Sequence, residues 1–456
     1  MRSPMFQLDE RMARLVFDYC HERLALDPVP LDFGGIEASL DHALDGLITA
    51  GGHDPEAVLR VFTEQLALGI VSCDSPRFLS FIPAAPTKAA LLFDMVVSCS
   101  SLQATSWLEA AGAVAAENQA LRVLADLAGL PASAGGCFVG GGTLANLSAL
   151  VVARDTAARR RADAAPPGAG RPRMAVTSET HSSVARAFAI MGVDPLIVPG
   201  VDHRLTGAAL EATLAADPEP DSVVAVVATA GTTNAGIVDD LTGVADVCER
   251  RRLWLHVDGA YGGAALFSTR ARHRFAGVER ADSFVVDPHK WLFAPFDCAA
   301  LLYREPRLAK AVHTQDASYL DVIHDEAHEV WNPSDYAVHL TRRARGLPLW
   351  FSLAVHGTDA YRDAVDAVLE TAAAGADLVR AAPHVELVRE PELSIVLLRR
   401  PGWAREDYDR WSAKLLADQT AFVTPTSWEG EPVARLAFLH PDTTPAMVGE
   451  ILDTMA

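Results

Sequence analysis

Apolar positions recur at helical spacing from Glu10 to Leu24 and from Pro55 to Leu68, and strand-like runs are scarce before about residue 90, which predicts a helical layer. Ser106 to Leu130 is again helical in pattern and rich in Ala, Leu and Glu. The texture then changes. Short β-branched runs follow at Met174 to Thr177, Pro195 to Val198, Val223 to Ala228, Leu253 to Val257, Ser283 to Val286 and Ala299 to Tyr303. Strands that alternate with helices imply a mainly parallel sheet covered on both faces. Beyond Pro348 the pattern predicts a long helix, Phe351 to Ala381, and strands at Val385 to Val388, Ser394 to Leu398 and Val433 to Leu439. The expected division is a helical segment 1–95, a large α/β domain 96–347 and a smaller α+β domain 348–456.

Composition narrows the function classes. The chain has 456 residues, half of them hydrophobic, enough to bury a large core. Its formal net charge of -20 argues against a nucleic-acid partner, which needs a clustered basic surface. No apolar run is long enough to span a bilayer, and a cytoplasmic protein is expected. The six cysteines are scattered with no Cys-x-x-Cys pair, which suits reduced thiols better than a disulfide scaffold or zinc ribbon.

Lysine is rare, with only Lys88, Lys290, Lys310 and Lys414 among 39 basic residues. An ammonium can lose its proton and attack a carbonyl, whereas a guanidinium stays charged, so a lysine kept at a strand end is a candidate nucleophile. Lys290 follows the strand Ser283 to Val286, in Asp287-Pro288-His289-Lys290-Trp291. Gly140-Gly141-Gly142-Thr143 precedes a helix expected to run to about Arg160, an arrangement that seats an anion on free backbone N–H groups. The same run fits the dinucleotide fingerprint, so a nicotinamide-dependent dehydrogenase is a rival, although no acidic residue ends a second strand some twenty residues on. Asp258 ends the run Leu253 to Val257. A carboxylate buried there needs a cationic partner, such as a protonated heterocyclic nitrogen, unless it merely caps a turn. His181 and the segment Thr229 to Asn234 end two further strands, so four polar strand ends could meet in one crevice.

Five blocks, Gly141 to Leu147, His181-Ser182-Ser183-Val184, Ala230-Gly231-Thr232-Thr233, His256-Val257-Asp258-Gly259-Ala260 and Pro288-His289-Lys290-Trp291, stand in the order found in the group II pyridoxal-phosphate-dependent amino-acid decarboxylases. The chain resembles that family from about Ser75 to Phe438. The resemblance implies the fold-type I architecture, a large mainly parallel sheet domain with a helical N-terminal segment and a smaller α+β C-terminal domain. It implies pyridoxal 5'-phosphate as cofactor and a homodimer with shared active sites. Carried over residue by residue, Lys290 would form the Schiff base and His181 would stack on the pyridine ring. Asp258 would pair with the ring N–H, Ala260 would pack on the other face, and Thr233 would support Asp258. Gly141, Gly142, Thr143 and His289 would hold the phosphate. Asp287 departs from the asparagine of the animal members, and an acid there would repel a phosphate dianion unless protonated or turned away.

The activity so implied is loss of CO2 from an L-amino acid to leave an amine, favoured when the Cα–carboxylate bond lies perpendicular to the ring in an apolar site. Arg435 is the matched candidate for gripping the substrate carboxylate, with a structural salt bridge as its alternative. Phe81, Ile82 and Ala84 match the strip that lines the substrate side chain and favour an aromatic or aliphatic amino acid over glutamate. Asp321 to Leu340 is polar and predicts a mobile lid, with Tyr336 as the candidate proton donor to the substrate carbon. That segment also holds His324 and His328 at i, i+4 spacing. No glutamate follows the first histidine and Pro333 interrupts the helix, so no metal site is expected. Aldehyde synthesis coupled to decarboxylation, transamination and non-catalytic ligand binding are the rivals on the same cofactor.

Overall fold

The computed structural model describes residues 3–32, 40–83, 85–162, 171–324 and 330–456. Three sequential domains were expected, but these residues group into two compact units. One comprises 1–81, 374–389 and 397–456, and the other 82–373 with 390–396. The early helical segment joins the C-terminal part through backbone pairing. Leu79 N–H donates to the Phe422 carbonyl at 2.9 Å and Ala437 N–H donates to the Leu79 carbonyl at 3.0 Å.

The larger unit is built on seven strands, β1 (Gly135–Val139), β2 (Arg173–Val176), β3 (Asp194–Ile197), β4 (Val223–Thr229), β5 (Trp254–Asp258), β6 (Ser283–Val286) and β7 (Ala299–Tyr303). Their order is β1-β7-β6-β5-β4-β2-β3. β3, β2, β4, β5 and β6 run parallel, and β7 is antiparallel to both β6 and β1, so only β7 points the other way. Every residue of β4, β5, β6 and β7 is buried, as expected of predominantly apolar strands covered on both faces, and the polar Thr229, His256, Asp258 and Ser283 are buried with them. β3, with Pro195 and two further exposed positions, closes one edge. The helix Gly142–Ala162 packs Ala145, Ala149, Leu150 and Ala153 into the same core as Val139, Val227 and Leu301.

In the smaller unit, β8 (Glu386–Leu387) pairs antiparallel with β9 (Ile395–Arg399), and β10 (Pro425–Trp428) with β11 (Glu431–Ala437), in the order β10-β11-β9-β8. The long helix Leu347–Ala381, interrupted at Gly357, belongs to the larger unit as far as residue 373. Among the described residues no helix is long and apolar enough to cross a membrane.

Candidate active site

Because six of the seven strands share one direction, the residues that follow them gather at one end of the sheet. A cavity of about 350 Å³ lies there. Its lining draws on the turn after β1 (Gly141, Gly142, Thr143), on His181 after β2, on Thr229 and Thr233 from β4 and its turn, on Asp258 and Ala260 from β5, and on Asp287, His289 and Lys290 after β6. The structure thus brings residues from each strand end singled out in the sequence to one cavity.

Gly142 opens the 21-residue helix Gly142–Ala162, and its N–H donates to Asp287 Oδ2 at 3.1 Å. A Cβ at Gly142 would meet that oxygen at 2.8 Å and Ala260 Cβ at 3.3 Å, so only glycine lets the backbone come this close. Lys290 Nζ lies 3.1 Å from the same Asp287 oxygen. Asp287 is 1 % exposed and its other oxygen, Oδ1, has no hydrogen-bond partner. The acid therefore pairs with the lysine as well as with the helix N-terminus. His289 Nδ1 accepts from Cys298 N–H at 2.9 Å, which puts its proton on Nε2, 3.6 Å from Asp287 Oδ2. Burial pulls the His289 imidazole below its ordinary range.

Asp258 is 5 % exposed. Oδ2 accepts from Asn146 Nδ2 at 2.9 Å and Oδ1 from Ala260 N–H at 3.1 Å. Thr229 is its register partner on β4, and the buried Thr229 Oγ1 lacks a hydrogen-bond partner. His181 caps the helix Ser182–Met191 and is exposed in the chain, with Nδ1 held by Ser183.

These features fit pyridoxal phosphate. A helix N-terminus with a glycine cradle suits a phosphate ester, a buried carboxylate on neutral donors suits a pyridinium N–H, and a lysine suits an aldehyde. Thr229 Oγ1 and Asp287 Oδ1 are buried polar atoms with unused hydrogen-bonding capacity beside the same cavity, which points to a polar ligand there.

The remaining described candidates are not among the residues that line this cavity. Tyr336 belongs to the core, 4 % exposed, with its ring stacked on Trp331 at 4.2 Å and its carbonyl accepting from Tyr303 Oη at 3.1 Å. This corrects the expectation of a lid tyrosine, because a ring buried in its own chain's core cannot swing into a site. His324 is described, whereas His328 lies outside the described residues. In the smaller unit Arg435 is 5 % exposed, and Nη1 donates to the Phe81 carbonyl at 3.2 Å. Phe81 has φ +50° and is 59 % exposed. Ile82 is buried, and Ala84 lies outside the described residues.

Sequence reasoning gave no role of its own to Asn146 or His256, and took Thr229 only as part of a polar strand end. The signal for His256 was its place two residues before Asp258, since i and i+2 of a strand share a face. Asn146 bridges the two, accepting from His256 Nε2 at 2.9 Å and donating to Asp258.

Residues 47–400 match the family model described as the pyridoxal-dependent decarboxylase conserved domain. The chain is 30 % identical over 417 residues to the aromatic-L-amino-acid decarboxylase of Bacillus atrophaeus, covering 89 % of this chain and 85 % of that one. It is 31 % identical over 433 residues to the L-2,4-diaminobutyrate decarboxylase of Rhizobium meliloti (strain 1021), covering 93 % and 85 %. The crystal structure of Oryza sativa TDC with PLP and tryptamine superposes with a TM-score of 0.91 at 26 % identity, covering 100 % of this chain and 99 % of that one.

Proposed function

The chain belongs to the pyridoxal-dependent decarboxylase family, and from that premise we propose which residues do its chemistry and on what substrate. It is a pyridoxal-phosphate-dependent enzyme that decarboxylates an L-amino acid. When bound, the cofactor supplies a protonated heteroaromatic ring that draws electrons from the substrate's α carbon.

In this proposal Lys290 holds the cofactor through its amine, with the Asp287 carboxylate 3.1 Å from Nζ positioning the side chain. Gly141, Gly142, Thr143 and His289 hold the phosphate, with the helix Gly142–Ala162 contributing its N-terminal dipole. Asp258, aligned by Asn146 and Ala260 N–H, takes the ring N–H. His181 and Ala260 flank the ring, and Thr233 supports the Asp258 side of the cavity. The single observation that carries the reading is the convergence of Lys290, Asp258, His181 and the Gly142 amide on one cavity.

An aromatic or aliphatic substrate is proposed over glutamate, supported by the exposed Phe81 ring. Arg435 belongs to the same substrate proposal. Its bond to the Phe81 carbonyl ties the guanidinium to that strip. A homodimer is supported by the helix Glu10–Leu24, which buries none of its residues yet displays Met12, Val16 and Phe17, and light scattering tests it. A cytoplasmic location is supported by six free cysteines, and fractionation tests it. The reaction is tested by supplying cofactor-loaded protein with single L-amino acids. Amine and CO2 in equal amounts support the proposal, whereas aldehyde with ammonia and peroxide would defeat it.

A further inference from the structure

Behind the cavity a buried chain of hydrogen bonds has only one possible direction. It begins at Trp254, whose indole N–H can only donate, and does so to Ser283 Oγ at 2.8 Å. The Ser283 hydroxyl lies 2.8 Å from His256 Nδ1. At the other side of that ring, Nε2 is 2.9 Å from Asn146 Oδ1, an amide oxygen that can only accept. His256 Nε2 must therefore carry the proton, and Nδ1 accepts from Ser283. The amide orientation of Asn146 is fixed independently from its far end, because Asp258 Oδ2 accepts from Nδ2. The second Nδ2 hydrogen goes to Ser183 Oγ at 3.1 Å. The Ser183 backbone N–H donates to His181 Nδ1 at 3.2 Å, which makes that nitrogen the acceptor, so the Ser183 hydroxyl, accepting from Asn146, donates its own hydrogen to Nδ1 at 2.9 Å.

We propose that Asn146 and Ser183, oriented by His256, are positioning residues that set the tautomer of His181, leaving Nδ1 as acceptor and presenting Nε2–H to the cavity. The same amide aligns Asp258, so one side chain orders both the residue assigned to the ring nitrogen and the residue assigned to the ring face. The relay is well shielded, since His256 is fully buried, Asn146 and Ser283 are 1 % exposed, and Trp254 and Ser183 are 4 % and 5 % exposed. Burial also pushes the His256 imidazole down to about 4, so it stays neutral and keeps one ring nitrogen free to accept. The consequence for catalysis rests on the stacking role proposed for His181, whereas the tautomer does not.

The test is imidazole ¹⁵N spectroscopy of cofactor-free protein labelled at histidine, with the His181 signals identified by their loss in His181→Gln. The wild type is expected to show Nδ1 as the unprotonated nitrogen, favoured by roughly tenfold over the other tautomer for a part-buried hydrogen bond. Ser183→Ala should weaken the preference without reversing it, because the backbone N–H of residue 183 still points at Nδ1, Ser183→Thr should restore the wild-type pattern, and Asn146→Leu should weaken the preference. A wild-type His181 protonated mainly at Nδ1 would overturn the proposal, even if the variants fail to fold. A folded Ser183→Ala with unchanged ¹⁵N signals would overturn it too. Separately, absorption of the protein titrated with pyridoxal phosphate reports whether the cofactor reading itself fails.

Discussion

The seven-stranded sheet carries a polar cavity at each end, and the larger one is not where the chemistry gathers. At the amino ends of β4, β5 and β6 lies a space of about 850 Å³ bordered by Arg251, Arg280, Asp282 and Arg304. There each of these four groups already has a protein partner. Arg280 pairs with Asp246 at 2.7 Å and Glu249 at 2.6 Å, Arg251 pairs with Glu211, and Asp282 accepts from Leu255 N–H at 2.8 Å. At the carboxyl ends the cavity is less than half that size, yet Thr229 Oγ1 and Asp287 Oδ1 are buried beside it with no partner. Lone buried acceptors and hydroxyls are costly and rare, so their convergence marks a site better than volume does.

The comparison breaks most sharply at Lys290. Lys290→Ala should lower kcat by roughly a thousandfold or more, as removal of a covalent catalyst does, with the fold retained by circular dichroism. Asp258→Asn keeps the shape and removes the charge, and should lower kcat by about a hundredfold while leaving cofactor bound. Asp287→Asn removes a negative charge next to the phosphate seat and should tighten pyridoxal phosphate by about tenfold in an absorbance titration. A weaker affinity would show that the acid's hold on Lys290 matters more than its repulsion. At the opposite end, Arg280→Ala should cost about 1 kcal/mol or less in urea denaturation and leave kcat within about twofold, because its partly exposed ion pairs are screened.

Two buried groups behind the site sharpen the contrast through pH. Burial pushes the Asp239 carboxyl from 3.8 up to about 7, so the folded chain keeps a proton that the unfolded chain has released, and stability falls as pH rises across that window. His256 acts with the opposite sign. The unfolded chain takes up a proton below 6.5 but the folded one only near 4, so stability falls as pH drops across that range. Urea midpoints measured from pH 4 to 7 should lose the first slope in Asp239→Asn and keep the second.

Much of this arrangement was legible in the residue pattern, where physical causes acted locally. The buried runs of β4 to β7 and the helix after Gly142 follow from periodicity and the glycine turn. β1 was less visible because its Gly-Gly start weakens any strand signal. The structure supplies the reason, since a Cβ at Gly136 would lie 1.8 Å from the Leu301 carbonyl oxygen across the pair. β10, Pro-Thr-Ser-Trp, is a polar strand with a proline start and reads as a loop. The polar segment around Tyr336 also read as a lid, because composition does not reveal that Trp331 and Tyr336 stack inside the core. The relay through Asn146 depends on hydrogen bonds between residues 37 to 112 positions apart, which no local pattern reports.

The most direct test of the account is to load the protein with pyridoxal phosphate, reduce it with borohydride and map the modified peptide by mass spectrometry. The account predicts one pyridoxyl group, on Lys290. Stoichiometric modification of Lys88, Lys310 or Lys414 instead, or no fixed label in protein saturated with the cofactor, would contradict it.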